Sequence, residues 1–285
     1  MKTRTFGPMG VEVSIVGQGT WNLEREDKKT ALAALGRGLD LGMTHLDTAE
    51  MYGQGAVETM LAPVLTGRWA ERRAEVFLAS KVLPSNASRR GTVAACERSL
   101  ARLGTDHLDL YLLHWPSSHP LKDTIAAFEE LVDRGRIRAW GLSNFDEQGL
   151  ARAVRIAGEG RIACNQVLYH LEERGIEHAV IPYCEEHGIA VVAYSPLGQG
   201  SFPAPGSRGG RVLAEIAAGR GATPHQVALA FLLRGPALFA IPKAARRDHV
   251  EANAAAADLE LSADEVARID AAFPRGRRRK GVATL

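Results

Sequence analysis

The chain has 285 residues, of which 46% are hydrophobic and 24% are charged, and its formal net charge is +2. This composition is typical of a globular protein with one large core, so we expect a single domain over 1–285, and the near-neutral charge excludes a strong attraction toward nucleic acid or membrane surfaces. No stretch is apolar for long enough to cross a bilayer, and the first residues lack the apolar core of a signal peptide.

Strand-like apolar runs alternate with helical patterns along the chain, which is typical of a parallel α/β sheet. The predicted strands are 13–20, 44–47, 76–81, 108–114, 137–142, 162–167, 189–194 and 238–242. The predicted helices are 28–41, 89–103, 121–134, 146–157, 178–187 and 224–233. Such an alternation within 285 residues favours a (β/α)₈ TIM barrel over an open doubly wound sheet.

Three segments fall outside this alternation. Residues 5–13 carry a Gly-Pro turn signal between short apolar pieces, which predicts a small β-hairpin capping the barrel floor. Residues 195–210 are rich in Gly, Pro and Ser, and a loop of this length on a compact fold is usually functional or mobile. The basic segment 275–280 is expected to be a solvated terminus rather than a nucleic-acid or targeting element, and a role of this terminus beside a functional site stays open.

The cysteines indicate a reducing compartment. Cys96, Cys164 and Cys184 are odd in number, far apart in the sequence and form no CxxC pair. We therefore expect core or surface thiols in a cytoplasmic protein.

Four polar residues stand at or just past the carboxyl ends of predicted strands: Asp47, Tyr52, Lys81 and His114. In a parallel barrel these ends share one mouth, so a carboxylate, a phenol, an ammonium and an imidazole are predicted to converge there. Taken singly, each has a plainer interpretation, as a loop acid, a packing tyrosine, a surface lysine or a core histidine. Together they predict a site for proton transfer.

These residue types suit acid–base chemistry at a carbonyl group. A tyrosine has a pKa of about 10 and donates a proton sluggishly at neutral pH, unless a neighbouring ammonium lowers that pKa by roughly 1 to 3 units. The ammonium in turn needs a carboxylate partner to stay charged when it is buried. A neutral histidine can orient the oxygen of a carbonyl substrate or pass a proton itself.

Several nucleotide and hydrolase motifs are absent from the sequence. Asn22 stands where the third glycine of a GxGxxG motif starting at Gly17 would be, and there is no Walker A loop, HExxH pair or GxSxG elbow. Any nucleotide is therefore held without a Rossmann unit. No HxH pair or dense cluster of metal ligands is found, so we expect no metal site.

Seven short motifs occur in an order that is typical of one known family. They are LDTAEMYG at 46–53, ASK at 79–81, LLHWP at 112–116, GLSNF at 141–145, NQ at 165–166, AYSPLG at 193–198 and IPK at 241–243. With these motifs the chain resembles the aldo-keto reductases, from GQGTW near its start to the region of Asn253, and among them the bacterial diketogulonate and methylglyoxal reductases most. One such motif alone is weak evidence, but seven in order make a chance match implausible.

The resemblance implies a catalytic tetrad and a nicotinamide cofactor. Tyr52 is the implied general acid, with Lys81 and Asp47 lowering its pKa and His114 orienting the carbonyl oxygen. The implied cofactor contacts are Gly19, Thr20, Trp21, Asp47, Ser143, Asn144, Gln166, Tyr194, Ser195, Pro196, Leu197, Lys243, Arg246, His249 and Asn253. The implied substrate contacts are Trp21, Tyr52, His114 and Trp115, although both tryptophans also suit plain packing at the barrel mouth.

At the adenosine end the chain departs from the better-known family pattern. Lys243 stands where NADPH-preferring members have the lysine for the 2′-phosphate, but Ala244 follows it, and His249 replaces an arginine commonly found six residues after that lysine. Arg246 and Arg247 lie nearby, and guanidinium groups suit phosphate. We expect NADPH as the cofactor, with NADH less favoured.

Three functions are compared at this point. The first is NAD(P)H-dependent reduction of small aldehydes, dicarbonyls or keto-acids to alcohols. The second is a cofactor-binding regulatory subunit on the same fold, against which the complete tetrad counts, and the third is a metal-dependent barrel hydrolase, which lacks a ligand cluster. We expect the first, in a monomer as is common in this family, and leave the physiological substrate open because specificity lies in variable loops.

Overall fold

The N-terminal residues form a two-stranded hairpin in the computed structural model, which describes residues 1–67, 70–71 and 73–285. Strands β1 (Thr3–Thr5) and β2 (Glu12–Ser14) pair antiparallel. The connection contains a 3₁₀ turn (Gly7–Met9) followed by Gly10, whose φ of 66° lies in the left-handed region that glycine adopts without strain. The predicted hairpin is confirmed, and it extends to both sides of the predicted segment.

Eight parallel strands form the main sheet. They are β3 (Gln18–Gly19), β4 (His45–Asp47), β5 (Phe77–Val82), β6 (Leu108–Leu113), β7 (Ile137–Ser143), β8 (Ile162–Leu168), β9 (Ala190–Tyr194) and β10 (Leu238–Ala240). Strands that follow one another in the chain are neighbours in the sheet. Parallel bridges from Val16 to Ala240 and from Gly19 to Lys243 join the two edges and close the barrel. The predicted (β/α)₈ fold class is confirmed.

The first barrel strand is shorter than predicted because the backbone of 13–20 serves two sheets. Its beginning pairs in the hairpin, and the part from Gln18 lies in the barrel. At the seam, the Gly17 N–H donates to the Ala240 carbonyl oxygen at 2.8 Å. A Cβ on Gly17 would lie 2.7 Å from the carbonyl oxygen of His45, so the close approach of these segments requires glycine.

Helices follow most of the strands and surround the barrel. They are α1 (Lys28–Asp40), α2 (Ala56–Thr66), α3 (Arg89–Leu103), α4 (Leu121–Asp133), α5 (Glu147–Ala157), α6 (Val180–Glu186), α7 (Arg208–Arg220), α8 (Pro224–Leu232), α9 (Arg247–Ala256) and α10 (Ala263–Ala272). All six predicted helices are present. Side chains of Asp27, Ser88 and Asp146 accept backbone N–H groups at the starts of α1, α3 and α5, and Thr223 and Ser262 form capping boxes. Within the described ranges, no helix has the length and apolarity to cross a membrane.

Four helices were not predicted: α2, α7, α9 and α10. Helix α7 begins inside the segment predicted as a loop, so that loop covers 195–207. Helices α7 and α10 pack against each other beside the barrel. The sequence of α7 mixes alanine and glycine, that of α10 is rich in alanine, and both have few large apolar residues, which weakens the helical period that the predictions relied on.

Phe6 closes the floor of the barrel. It is completely buried, and its ring centroid lies 4.8 Å from those of Phe77 and Phe239 and 5.9 Å from that of His45. These partners stand at the amino ends of β5, β10 and β4, so the hairpin region covers that end of the barrel, as predicted. The carboxyl ends of the strands lie at the opposite, open end of the barrel, where the loops carry the candidate site.

The core lies inside the barrel and between the barrel and its helices. Every residue of β5 and β6 is buried, which agrees with near-continuous apolar runs in parallel strands. The three cysteines are free and buried, so of the core and surface positions left open by the sequence they occupy the core.

Candidate active site

A completely buried lysine forms the centre of the site. Lys81 lies in β5, and its Nζ donates hydrogen bonds to Asp47 Oδ1 at 2.5 Å, to the Thr48 carbonyl oxygen at 2.8 Å and to Tyr52 Oη at 3.1 Å. These acceptors use all three protons of an ammonium group. Because Tyr52 Oη accepts a hydrogen bond here, its own proton remains available for another acceptor.

Asp47 ends β4 and is held through both carboxylate oxygens. Oδ1 accepts from Lys81, and Oδ2 accepts from Gln166 Nε2 at 2.8 Å. The Thr20 hydroxyl donates to the backbone carbonyl of Asp47 at 2.8 Å. Because Gln166 lies in β8, four strands away from β4, the contact spans the mouth of the barrel.

Tyr52 lies in a tight turn between β4 and α2. Its N–H donates to the Ala49 carbonyl oxygen at 3.1 Å, and Gly53 and Gln54, which follow it, have φ of 55° and 56°. A left-handed backbone is uncommon for a residue such as Gln54, and strain of this kind often marks functional sites. The turn brings the tyrosine to the barrel mouth, with 8% of its surface exposed.

Two aromatic rings flank the phenol. The Trp21 ring is stacked on that of Tyr52, with centroids 6.5 Å apart, and the His114 ring meets it edge-on at 5.8 Å. His114 directly follows β6, and its N–H donates to the Val82 carbonyl oxygen at 3.0 Å. Its Nδ1 is buried without a hydrogen-bond partner among the described residues. The four residues predicted to converge are therefore brought together.

Burial decides the protonation of the phenol. It raises the pKa of Tyr52 above the ordinary value of 10.0; the charge of Lys81 opposes this shift, and that of Asp47 adds to it. The resemblance implied a lowered pKa, and the direction differs because desolvation disfavours the phenolate more than the ammonium stabilises it. Tyr52 is therefore protonated at physiological pH.

Burial and nearby charges also determine the protonation states of the other two titrating groups. Burial lowers the pKa of Lys81, but the charge of Asp47 and the contacts with Tyr52 outweigh this, so the pKa lies above the ordinary 10.5. Burial, assisted by the charge of Lys81, lowers the pKa of His114 well below 6.5. At pH 7 the mouth thus holds a cationic lysine, a neutral imidazole and an undissociated phenol.

A cavity of about 1380 Å³ opens at this mouth. Its walls contain these implied contact residues: Gly19, Thr20, Trp21, Asp47, Tyr52, His114, Trp115, Ser143, Asn144, Gln166, Tyr194, Ser195, Pro196, Leu197 and Lys243. Three other implied contacts, Arg246, His249 and Asn253, are absent from the described walls and lie at or within α9. The structure therefore gathers most of the predicted residues around one space and leaves these three beyond its edge.

Asn144 organises one wall of the cavity. Its φ of 63° is left-handed, its Nδ2 donates to the His114 carbonyl oxygen at 3.0 Å, and its Oδ1 accepts from Tyr194 Oη at 2.9 Å. The side chain also contacts the Ser143 hydroxyl at 3.2 Å. This network fixes the ends of β6, β7 and β9 relative to one another.

Sequence reasoning missed two contacts at the site. The Thr48 contact is made by a main-chain carbonyl, which leaves no signature in a sequence. Glu26 pairs with Lys243 from the loop after β3, a contact between residues 217 positions apart. Neither contact has a local pattern that would reveal it.

The C-terminal segment borders the cavity. Arg278 pairs with Glu147 at 2.6 Å and Arg279 with Glu173 at 3.7 Å, although both arginines are largely exposed. Val282, Thr284 and Leu285 line the cavity. The basic segment is therefore solvated as predicted, but it also anchors the residues after it on the barrel mouth.

The described residues contain no group of three or more His, Cys, Asp or Glu side chains placed to hold a metal ion.

Comparisons with known proteins agree with this geometry. The model of the aldo/keto reductase family matches residues 15–273. The chain is 44% identical over 266 residues to methylglyoxal reductase YeaE of Escherichia coli, covering 93% of this chain and 92% of that protein. It is 34% identical over 268 residues to a glyoxal reductase of Bacillus subtilis, covering 92% and 90%. The crystal structure of an aldo/keto reductase from Klebsiella pneumoniae in complex with NADP and acetate matches with a TM-score of 0.91 and 39% identity, covering 100% of both chains. The chain therefore belongs to the aldo/keto reductase family and is an oxidoreductase.

Proposed function

We propose that this enzyme reduces the carbonyl group of a small aldehyde or dicarbonyl to an alcohol, with Tyr52 as the proton donor and NADPH as the reductant. The observation that carries the proposal is the hydrogen bond from Lys81 Nζ to Tyr52 Oη at 3.1 Å. It puts a protonated phenol in a cavity wall, directly against a fixed positive charge. As negative charge develops on a carbonyl oxygen, the phenol gives up its proton and Lys81 stabilises the phenolate that remains.

The other two members of the tetrad support this proton transfer. Asp47 keeps Lys81 charged in a buried position, and the contacts of its carboxylate and backbone with Gln166 and Thr20 fix its orientation. His114 is neutral, so one of its ring nitrogens carries a proton that can orient the carbonyl oxygen toward Tyr52.

The residues around the cavity fit a nicotinamide nucleotide. Gln166 uses its Nε2 on Asp47, which leaves its amide oxygen as an acceptor for a carboxamide N–H, and Asn144 and Ser143 add polar groups on the same wall. Tyr194 offers an aromatic face at the end of β9. A bound nicotinamide nucleotide supplies the hydride that the carbonyl carbon accepts.

The remaining implied contacts complete the proposed cofactor site. We place the pyrophosphate beneath the loop starting at Ser195, where φ of 47° indicates a constrained backbone. The adenosine end would reach Lys243, followed by Arg246, His249 and Asn253 at α9. A lysine and an arginine suit a 2′-phosphate, which supports NADPH over NADH.

The substrate class follows from the relatives and from the cavity walls. Methylglyoxal and glyoxal reductases are among the relatives. Trp21, stacked on the phenol ring, and Trp115, whose ring lies 4.9 Å from that of His114, give the cavity aromatic walls, while Lys81 is inaccessible. We propose short dicarbonyls such as methylglyoxal as preferred substrates.

A carbonyl panel tests the proposal. Methylglyoxal, glyoxal, 4-nitrobenzaldehyde and a keto-acid are offered with NADPH, and the NADPH absorbance band is followed with and without EDTA. We expect turnover that EDTA leaves unchanged, highest with the dicarbonyls. Tight NADPH binding without turnover on any carbonyl would instead identify a non-catalytic cofactor-binding protein.

We further propose that residues 1–285 act as a single-domain monomer in the cytoplasm. The one barrel that the described residues build and the free cysteines support this proposal. Light scattering coupled to gel filtration tests the oligomeric state, and a mass twice that of the chain would reject the monomer.

A further inference from the structure

The positive charges at the adenosine end are already paired with carboxylates. Lys243 donates to Glu26, and Arg246 donates to Asp248 at 2.7 and 3.1 Å. Arg247 lies 3.0 Å from Glu251. A phosphate that binds here must compete with carboxylates for its cations.

Glu26 differs from the other two acids in the structural element that carries it. Asp248 and Glu251 belong to α9, the same helix as one of their cations, whereas Glu26 reaches Lys243 from the loop after β3. Its backbone is fixed, because its N–H donates to the Leu23 carbonyl oxygen at 3.1 Å and closes a 3₁₀ turn. The partner is equally fixed, since Lys243 bridges to Gly19 at the barrel seam.

The Glu26 carboxylate has opposite effects on the two nicotinamide nucleotides. A carboxylate accepts a hydrogen bond from a free ribose 2′-hydroxyl, which is how many dehydrogenases select NADH. The same carboxylate repels a 2′-phosphate and occupies the lysine that the phosphate needs. Both side chains are partly exposed, at 31% for Lys243 and 40% for Glu26, so a nucleotide can reach the pair.

We propose that Glu26 is a specificity-determining residue that lowers the preference of this enzyme for NADPH over NADH. The proposal rests on the proposed function, because it places the adenosine end of the cofactor at Lys243. Glu26 competes with the 2′-phosphate for the lysine, and an incoming phosphate displaces it. With NADH the pair stays intact beside the ribose.

The test measures binding of NADPH and NADH to the full chain by quenching of tryptophan fluorescence, so that it needs no turnover. Glu26→Gln removes the charge and keeps the shape of the side chain. We expect it to tighten NADPH binding by about two- to fivefold, the range that exposed ion pairs give, and to leave NADH binding unchanged or weaker. The gain should shrink as salt is added, because exposed charges are screened.

Glu24→Gln is the matched control. Glu24 lies in the same 3₁₀ turn and its substitution removes the same charge, but its carboxylate lies 3.8 Å from Arg25, and the ion pair of Lys243 is made with Glu26. An equal change in NADPH affinity in both variants would show a general charge effect and overturn the proposal, as would a Glu26→Gln variant whose NADPH-to-NADH affinity ratio is unchanged. If the wild-type chain binds neither nucleotide, the proposed function itself fails.

Discussion

Replacing Tyr52 by phenylalanine tests the proposed proton donor with the smallest possible change. The variant loses Oη and keeps the ring that packs against Trp21 and His114. Lys81 keeps its contacts with Asp47 at 2.5 Å and with the Thr48 carbonyl at 2.8 Å, so its charge stays compensated. The perturbation therefore removes one hydrogen bond and the transferable proton.

The structure sets different magnitudes for stability and for activity. A hydrogen bond to a charged group contributes about 1.5–3 kcal/mol, and removing the hydroxyl also relieves part of its burial cost, so we expect a loss of about 1–2 kcal/mol and a melting temperature lower by only a few degrees. A positioned general acid contributes about 10²–10⁴ in rate. Turnover should fall by that factor, while NADPH affinity stays nearly unchanged.

Tyr111→Phe provides a matched control in the same barrel. Tyr111 lies in β6 and is fully buried, and its hydroxyl has no hydrogen-bond partner among the described residues. The same atom is therefore removed from a buried tyrosine outside the proposed machinery, and the variant should keep full turnover with equal or higher stability.

Three measurements decide the outcome for both variants: kcat from the NADPH absorbance band, NADPH affinity from tryptophan fluorescence, and the free energy of unfolding from urea titration. A Tyr52→Phe variant that keeps more than about a tenth of the wild-type kcat would refute the role of Tyr52, since a positioned general acid typically contributes at least about 10². An equal loss of kcat in Tyr111→Phe would point to a general effect of hydroxyl removal on the barrel.

The remaining predictions concern pH, an ion cluster and the barrel floor. Because the pKa of His114 lies well below 6.5 and that of Tyr52 above 10.0, kcat/KM for reduction should stay level between pH 7 and pH 9, and a titration inside that window in initial-rate data would contradict these protonation states. Burial raises the pKa of Glu177, but contacts with Arg174 and its neighbours lower it more, to about 2, so the carboxylate stabilises the fold above pH 4.5 and this contribution is lost as the pH falls toward 2. Allowing for solvent screening, Glu177→Gln should therefore cost about 1–2 kcal/mol in urea unfolding at pH 7 and much less near pH 2; an equal cost at both would reject the ionic explanation. Phe6→Ala should lower the free energy of unfolding by about 3–5 kcal/mol, because the cavity that it leaves at the barrel floor is enclosed by aromatic rings. A loss below about 1 kcal/mol would show that the barrel floor does not depend on Phe6.

The barrel itself could be predicted because its strands carry a strong local signal. The apolar runs around Lys81 and before His114 are buried on every side, and short runs of this kind separated by helices have few other solutions. The seam that closes the barrel was harder to predict. Residues 13–20 are shared between two sheets, and the point at which they pass from one to the other depends on contacts with Ala240, far along the chain. Helix α7 was missed because its glycines and alanines leave a weak period.

Some features of the candidate site could also be predicted from the sequence, whereas others depend on the folded barrel. The four residues of the proposed tetrad could be located from the sequence, since each stands at or shortly past the carboxyl end of a strand. The direction of the Tyr52 pKa could not, because it depends on how far burial outweighs the charge of Lys81, and burial is a property of the folded barrel. The Glu26 contact with Lys243 also joins two loops that only barrel closure brings together.

The contacts of Asp47 explain why the site retains its charges despite burial. A buried ion pair contributes little net stability, because desolvation of the two groups offsets their attraction, so the Lys81 pair is not needed to hold the barrel together. Yet the carboxylate is bound by Lys81 and Gln166, and its backbone by Thr20, from strands around the whole mouth. Such fixed surroundings keep the ammonium charged and aimed at one phenol, which a surface pair in water would not do. The arrangement therefore suits the proposed proton transfer at Tyr52, with the stability of the fold supplied by the apolar barrel beneath it.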